Sequence, residues 1–104
     1  MQEIMAWARE RNGAVSAGEM VARSGYSHGH FRLLFGREFG KTPAAFLSRL
    51  RVNEAKRLLG ESRCAIKEIA GRLGYGDVVA FHRAFAREAG MPPGEYRRKA
   101  LPSG

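Results

Sequence analysis

Residues 66–85, IKEIAGRLGYGDVVAFHRAF, decide the fold of this chain. Apolar residues recur three and four apart in the first half, as they do on one face of a helix, and Gly74 follows as the turn residue. Phe81 and Phe85 then place an apolar pair on one face of a second helix, and the small Ala70 lets the two helices approach. The spacing predicts a helix-turn-helix.

The same pattern occurs earlier in the chain. Residues 25–46, GYSHGHFRLLFGREFGKTPAAF, align with residues 74–96, GYGDVVAFHRAFAREAGMPPGEY. The matched pairs are Gly25 and Gly74, Tyr26 and Tyr75, Phe31 and Phe81, Phe35 and Phe85, Gly40 and Gly90, Pro43 and Pro93, and Phe46 and Tyr96. The chain therefore contains two copies of one helix-turn-helix.

Helical periodicity runs through the whole chain, and Val, Ile and Thr are sparse, so the sequence predicts an all-α fold of about seven helices. We expect helices near 2–11, 17–23, 28–38, 43–59, 66–72, 77–88 and 93–100. Expected helix N-caps are Ser16, Ser27 and Asp77. Glycines expected just past helix ends, in the left-handed conformation, are Gly25, Gly40, Gly60, Gly74 and Gly90.

The longest of these segments, residues 43–59, has no helix breaker and would be about 25 Å long as a helix. Its apolar residues cover more than one side, namely Phe46, Leu47, Leu50, Val52, Ala55, Leu58 and Leu59. We therefore expect a linker helix that joins two small subdomains. The predicted segments are a first helix-turn-helix subdomain at 1–42, the linker helix at 43–60 and a second helix-turn-helix subdomain at 61–104.

Length and charge favour a binding module. A chain of 104 residues, 44% of them hydrophobic, can bury one modest core or two small ones but not a large catalytic domain. Its 18 Lys and Arg against 10 Asp and Glu give a formal charge of +8, which indicates a polyanionic partner, nucleic acid before a membrane surface or an acidic protein. The single Cys64, with no long apolar run and no signal-peptide pattern, favours a soluble protein of a reducing cytoplasm.

Residues beside the phenylalanine pairs are predicted to face outward. If Phe81 and Phe85 point to the core, the residues left for the sides and outer face of that helix are Val78, Val79, His82, Arg83 and Ala86. The corresponding residues beside Phe31 and Phe35 are His28, Gly29, His30, Arg32 and Leu33.

From about Ser16 to Arg98 the sequence resembles the DNA-binding domain of the AraC/XylS family of bacterial transcription regulators. The match is most specific in residues 66–97, IKEIAGRLGYGDVVAFHRAFAREAGMPPGEYR. The resemblance implies two helix-turn-helix units on a long linker helix, with recognition helices entering successive major grooves of double-stranded DNA. It further implies a nucleoid-associated protein of the bacterial cytoplasm that usually activates transcription, needs no cofactor and has RNA polymerase as a further partner.

Some members of this family carry an additional N-terminal effector-binding domain, and others consist of the double helix-turn-helix alone. If the chain is complete, we expect it to bind DNA as a monomer. The opening residues, MQEIMAWARERNGAV, are similar to the first helix of the family's domain, so we expect a whole DNA-binding domain.

The resemblance also suggests which residues contact DNA. Candidates for reading bases are Gly29, Arg32, Leu33, Val78, Val79, His82 and Arg83. Candidates for contacting the DNA backbone are Ser27, His28, His30, Arg37, Arg87, Arg97, Arg98 and Lys99. The chain departs from the family at Gly29, where many members have a large side chain, and at Leu33, where an arginine is common. We favour base reading for Arg32 and leave Arg83 open between a base and a phosphate, because we place Arg83 near the flank of its helix.

Other functions fit the sequence less well. His28 and His30 form an H-x-H pair, but no third ligand follows at metal-binding spacing, so no metal site is predicted. An enzyme, for example one that transfers a methyl group to Cys64, would need a catalytic constellation that the sequence does not show. A basic adaptor that binds a protein or a membrane surface is the alternative, and it would need an apolar helix face that the core does not use.

Overall fold

The computed structural model describes residues 1–100 of the chain. It contains α1 (Gln2–Glu10), α2 (Ala17–Ser24), α3 (His28–Phe39), α4 (Pro43–Glu61), α5 (Ile66–Arg72), α6 (Val78–Ala89) and α7 (Pro93–Ala100). Within these hundred residues the chain forms no strand, and each helix begins and ends close to the predicted residues. The all-α prediction, with two helix-turn-helix units and a long linker helix, is confirmed.

Side chains cap the helices where the sequence predicted caps. Ser27 Oγ accepts a hydrogen bond from the His30 N–H at the start of α3 (3.2 Å), and Asp77 Oδ1 accepts one from the Ala80 N–H at the start of α6 (2.7 Å). Ser16 forms a capping box at the start of α2. Each cap satisfies a backbone donor that has no partner inside its own helix, so it fixes where the helix begins.

Removal of the α6 cap gives a measurable prediction. Asp77→Ala deletes the acceptor of the Ala80 N–H and the negative charge beside the helix N-terminus. We expect the free energy of unfolding to fall by about 0.5–2 kcal/mol, measured by urea denaturation. Asp77→Asn is the matched control, because asparagine is also a good cap, and it should lose less. Equal losses for the two variants would contradict a capping role.

The turn between α5 and α6 follows from local hydrogen bonding. The Gly74 N–H donates to the Gly71 carbonyl (3.2 Å) and the Tyr75 N–H donates to the Ala70 carbonyl (3.1 Å), which is the Schellman pattern of a helix C-terminus. Gly74 has a φ of 84°, which lies in the left-handed region that residues with a Cβ atom rarely adopt. The predictions of left-handed glycines are confirmed here and at the ends of α2, α3 and α6.

The prediction for Gly60 is wrong, because this residue lies inside α4. The helix continues to Glu61 and is followed by Ser62, whose N–H and hydroxyl both donate to the Leu58 carbonyl at 3.0 Å and 2.7 Å. Ser62 thus supplies the terminating hydrogen bonds that a left-handed glycine would otherwise supply.

The chain divides into two compact units. Unit 1 is Met1–Leu50 and unit 2 begins at Arg51, so α4 contributes residues to both. The core of unit 1 consists of Ile4, Met5, Ala8, Val15, Met20, Val21, Phe31, Phe35 and Leu47. The core of unit 2 consists of Val52, Ala55, Leu58, Leu59, Ile69, Ala70, Leu73, Phe81 and Phe85. The finer division at 1–42, 43–60 and 61–104 stays a prediction, and residues 101–104 of its last segment lie outside the described residues.

The apolar residues of α4 cover a wide surface because this helix contributes side chains to two cores. Leu47 is buried in unit 1, whereas Leu58 and Leu59 are buried in unit 2. Phe46 and Leu50 are only partly buried, at the edge of the unit 1 core. Because different parts of one helix pack into different cores, its apolar residues do not form a single stripe.

A group of four aromatic rings holds each helix-turn-helix to the helix that follows it. In unit 1 the rings are Phe31, Phe35, Phe39 and Phe46, and in unit 2 they are Tyr75, Phe81, Phe85 and Tyr96. The ring centroids of Phe35 and Phe46 are 5.7 Å apart, and those of Phe85 and Tyr96 are 5.5 Å apart, both edge to face. The phenylalanine pairs are therefore core residues, as predicted, and offer no stacking platform for single-stranded nucleic acid.

Candidate nucleic-acid interface

The outer face of α6 is set by its buried pair. Phe81 and Phe85 are fully buried. Successive side chains on a helix are separated by about 100°, so Arg83 points directly away from this pair. The prediction that Arg83 lies near the flank of the helix is therefore wrong. Val79 lies one turn before Arg83 on the same face and is 56% exposed. Both side chains are exposed to solvent on the outer face of α6.

The outer face of α3 has the same geometry and different chemistry. Leu33 lies at the position equivalent to Arg83 and is 53% exposed. Gly29 lies one turn before it and Gly36 one turn after it, and a methyl group added at either glycine would meet nothing within 4 Å beyond the helix itself. Packing therefore does not require these glycines. Gly36 was missed by the sequence analysis, although its spacing from Gly29 and Leu33 places it on one helix face.

Large apolar side chains that remain exposed are concentrated near these faces. Among residues 1–100 they are Tyr26, Leu33 and Val79. Tyr26 lies in the turn before α3, where its ring packs 4.8 Å from that of His30, and Tyr26 was not among the predicted contacts. Single exposed apolar side chains are common on protein surfaces, so these three support an interaction surface only through their position on or beside the outer faces of α3 and α6.

Two further candidates lie on the flanks of α3 and α6. Arg32 and His82 occupy equivalent positions, about 100° around the helix from the phenylalanine before each. Both are exposed, whereas Val78 is partly buried. Arg32 lines a groove at the start of α4 together with Lys41, a second basic residue that the sequence analysis did not select.

Most of the predicted backbone contacts are exposed. Ser27, His28, His30, Arg37 and Arg87 all lie at the surface, on or just before α3 and α6. Within residues 1–100 neither Arg37 nor Arg87 forms an ion pair with a carboxylate, so both guanidinium groups are available to a phosphate. The described chain contains no group of three or more His, Cys, Asp or Glu side chains that could hold a metal ion.

The three residues of the C-terminal basic cluster, Arg97, Arg98 and Lys99, differ in exposure and in their contacts. Arg97 is partly buried, and its guanidinium donates to the Leu59 carbonyl (3.1 Å) and the Ser62 carbonyl (3.3 Å). Arg97 thus uses two of its five N–H donors within the protein, in bonds that hold α7 against the end of α4. Arg98 and Lys99 are exposed, and Lys99 Nζ lies 3.4 Å from a carboxylate oxygen of Glu95. Arg98 and Lys99 are the more exposed members of the cluster, and a backbone contact by Arg97 stays a prediction.

Comparison of the sequence with known proteins identifies the family of this chain. The model of the helix-turn-helix domain family matches residues 20–99. The HTH-type transcriptional regulator Rv1931c of Mycobacterium tuberculosis is 35% identical over 86 residues, which are 83% of this chain and 33% of the relative. RclR of Escherichia coli, an RCS-specific HTH-type transcriptional activator, is 38% identical over 73 residues, 70% of this chain and 26% of the relative. The chain thus spans a third or less of these relatives.

The fold comparison agrees with the sequence comparison. The crystal structure of the DNA-binding domain of AdpA, a global transcriptional factor, in complex with a target DNA has a TM-score of 0.88 to this chain and 33% identity. The match covers 94% of this chain and 89% of that one. With the family model matched over residues 20–99, this chain belongs to the AraC-type family of helix-turn-helix DNA-binding domains of transcription regulators.

Proposed function

We propose that the chain binds double-stranded DNA sequence-specifically, with α3 and α6 each entering a major groove, and that it activates transcription. It would do so at the nucleoid of the bacterial cytoplasm, with RNA polymerase as its second partner. Two comparisons support this proposal: the AdpA domain has been crystallised with a target DNA, and RclR is named an activator.

The observation that carries the proposal is the outer face of α6. Arg83 points away from the core and, within residues 1–100, forms no ion pair that would compete for its guanidinium. An arginine in this position can donate two hydrogen bonds to O6 and N7 of guanine. Val79, one turn earlier and 56% exposed, offers methyl groups that fit the C5-methyl of thymine. The face would therefore read a short element containing a guanine and a thymine.

The face of α3 supports a different kind of reading. Leu33 has no hydrogen-bonding group and would contact a thymine methyl or the apolar edge of a base. Because Gly29 and Gly36 carry no side chain, the backbone of α3 could approach the groove more closely than that of α6. The element under α3 would accordingly be A·T-rich and less strictly specified than the element under α6. Arg32, for which the sequence favoured base reading, lies on a flank of α3 and would reach a base at the edge of the groove or an adjoining phosphate, and His82 would do the same from α6.

Basic residues around the two helices would supply affinity without sequence preference. We assign backbone contacts to Ser27, His28, His30, Arg37, Lys41, Arg87, Arg98 and Lys99. Each neutralised phosphate releases counterions, so binding would weaken steeply as salt rises, which a chain of formal charge +8 makes possible. Base contacts and phosphate contacts are thus separable by experiment, because only phosphate contacts contribute strongly to the salt dependence.

Footprinting tests the two-groove arrangement. We first select the preferred sequence from random duplex DNA with the purified chain, then map protection on it. We expect two protected elements with centres about 10 bp apart, bound by one protein molecule. Insertion of half a helical turn or of a full turn between the elements should each weaken binding, because one protein molecule spans elements only about one turn apart. A palindrome with each half read by a separate chain would contradict the arrangement.

The same selection separates the proposal from a basic adaptor that does not read sequence. Such an adaptor would enrich no motif, although its charge would still bind DNA at low salt. Activation is tested by transcription in vitro from a promoter that carries the selected site, with a scrambled site as the control. We expect more RNA from the first promoter, and less RNA would mark a repressor.

A further inference from the structure

A groove in unit 1, away from the residues assigned to DNA, has the chemistry of a protein-binding site. It lies between α1 and α2 and has a volume of about 410 Å³. Its lining residues are Trp7, Arg11, Ala14, Val15, Glu19, Ala22 and Arg23. Trp7 is the only tryptophan of the chain.

Two arginine side chains lie over the ring of Trp7. The Arg23 Cζ lies 4.0 Å from the centroid of the Trp7 ring, and the Arg11 Cζ lies 5.6 Å from it. A guanidinium stacked on an aromatic face keeps its N–H groups in its own plane, where they can still donate to a carboxylate. The indole thus holds two cationic side chains close together and leaves their N–H donors available.

Neither arginine has an anionic partner among residues 1–100, although both are exposed at the rim of the groove. The nearest carboxylate in sequence to Arg23 is that of Glu19, one helical turn earlier. It turns back to the start of α2 instead, where Glu19 Oε1 accepts a hydrogen bond from the Ser16 N–H at 3.0 Å. The groove therefore presents two guanidinium groups without an ion pair in the described part of the chain and one carboxylate, that of Glu19, beside an indole and apolar side chains.

The groove lies on the side of α2 opposite to α3. Ala17 and Val21 of α2 line a separate groove with His28 and Arg32 of α3, so this side of α2 faces α3. Glu19 and Arg23 are rotated to the other side of α2, toward α1. A duplex that contacts the outer face of α3 would thus leave the groove on the far side of α2.

We propose that this groove binds an acidic segment of a partner protein. A carboxylate of the segment accepts hydrogen bonds from Arg11 and Arg23, and an apolar side chain next to it packs on Ala14, Val15 and Ala22. Charge complementarity favours an acidic occupant, and tryptophan and arginine are the side chains most often found at the energetic centre of protein interfaces. The proposal does not depend on how α3 and α6 read DNA.

Selection from a random peptide library displayed on phage, with the whole chain as bait, tests this proposal. We expect an enriched consensus with Asp or Glu next to an apolar residue. A synthetic peptide of that consensus should change the fluorescence of Trp7, and the same peptide with Asn and Gln in place of its acids should not. Arg11→Gln and Arg23→Gln should each lower the affinity for the peptide by about tenfold or more, because a charge-assisted hydrogen bond is lost.

Two controls keep the result independent of folding. Arg49→Gln removes an exposed arginine of α4 outside the groove and should leave peptide affinity unchanged. Arg23→Lys keeps the positive charge but loses the planar guanidinium with its paired N–H donors. It should therefore lower the affinity for the peptide less than Arg23→Gln does. Melting curves check that each variant is folded.

Three outcomes would overturn the proposal. The first is a selection without an acidic consensus, and the second is a peptide that binds the Arg11→Gln/Arg23→Gln double variant as tightly as the parent. The third is a loss of duplex affinity in that double variant with a salt dependence shallower by about one unit per arginine, which would identify the groove as a phosphate contact. We expect duplex affinity to stay within about twofold of the parent.

Discussion

Phe85→Ala is expected to lower the free energy of unfolding by about 3–5 kcal/mol, the range for a large aromatic side chain removed from a core. Phe85 is fully buried, and its ring centroid lies 5.8 Å from that of Phe81 and 5.5 Å from that of Tyr96. The cavity would open where α6 packs on α7 and on the end of α4, and these helices can close it only in part because other contacts hold them. Urea denaturation followed by circular dichroism measures the loss.

Two variants control this experiment. Phe85→Leu keeps most of the apolar volume and should lose clearly less stability. Phe35→Ala removes the equivalent ring of unit 1, which is also fully buried, and should lose a similar amount. Folded molecules of each variant should select the same DNA motif as the parent, because neither phenylalanine reaches the surface. A melting midpoint equal to that of the parent would show that the ring does not support the core.

Much of this fold could be predicted because its signals are local. The caps at Ser27 and Asp77 bond to backbone groups three residues away, and Gly74 closes its turn with neighbouring carbonyl groups. Spacing of the phenylalanines alone identifies the inner face of α3 and α6, and the outer face follows from it. Gly60 shows where such local signals fail, since a glycine near a helix end is a stop only if no other residue supplies the final hydrogen bonds.

Parts of the site depend on contacts between residues far apart in sequence. Arg97 donates to carbonyl groups 38 and 35 residues earlier, so the sequence alone does not distinguish it from the exposed Arg98 beside it. The stacking of Arg23 on Trp7 likewise joins two helices. Arg83 is a different case, because we predicted it near the flank although helical spacing alone puts it opposite Phe81 and Phe85, and the burial of both rings confirms the opposite position.

Arg83→Ala is expected to remove sequence preference at one base pair, with a loss of about 1–3 kcal/mol for the preferred guanine over the other bases. The physical reason is that a bidentate contact to O6 and N7 exists only with guanine, so its removal makes all four bases alike at that position. Affinity for DNA that lacks the motif should change far less. Selection from random duplex DNA with parent and variant at one salt concentration measures both quantities.

Arg87→Ala is the matched control, since Arg87 lies one turn further along α6 and is assigned to the DNA backbone. It should weaken all sequences alike and reduce the slope of affinity against salt by about one unit, with the motif unchanged. The two arginines differ in position, because Arg83 points directly away from the buried pair, whereas Arg87 lies one turn nearer the C-terminus of α6 and about 40° around the helix. If Arg83→Ala instead gives the Arg87 result, Arg83 holds a phosphate, and sequence reading by α6 rests on Val79 and His82.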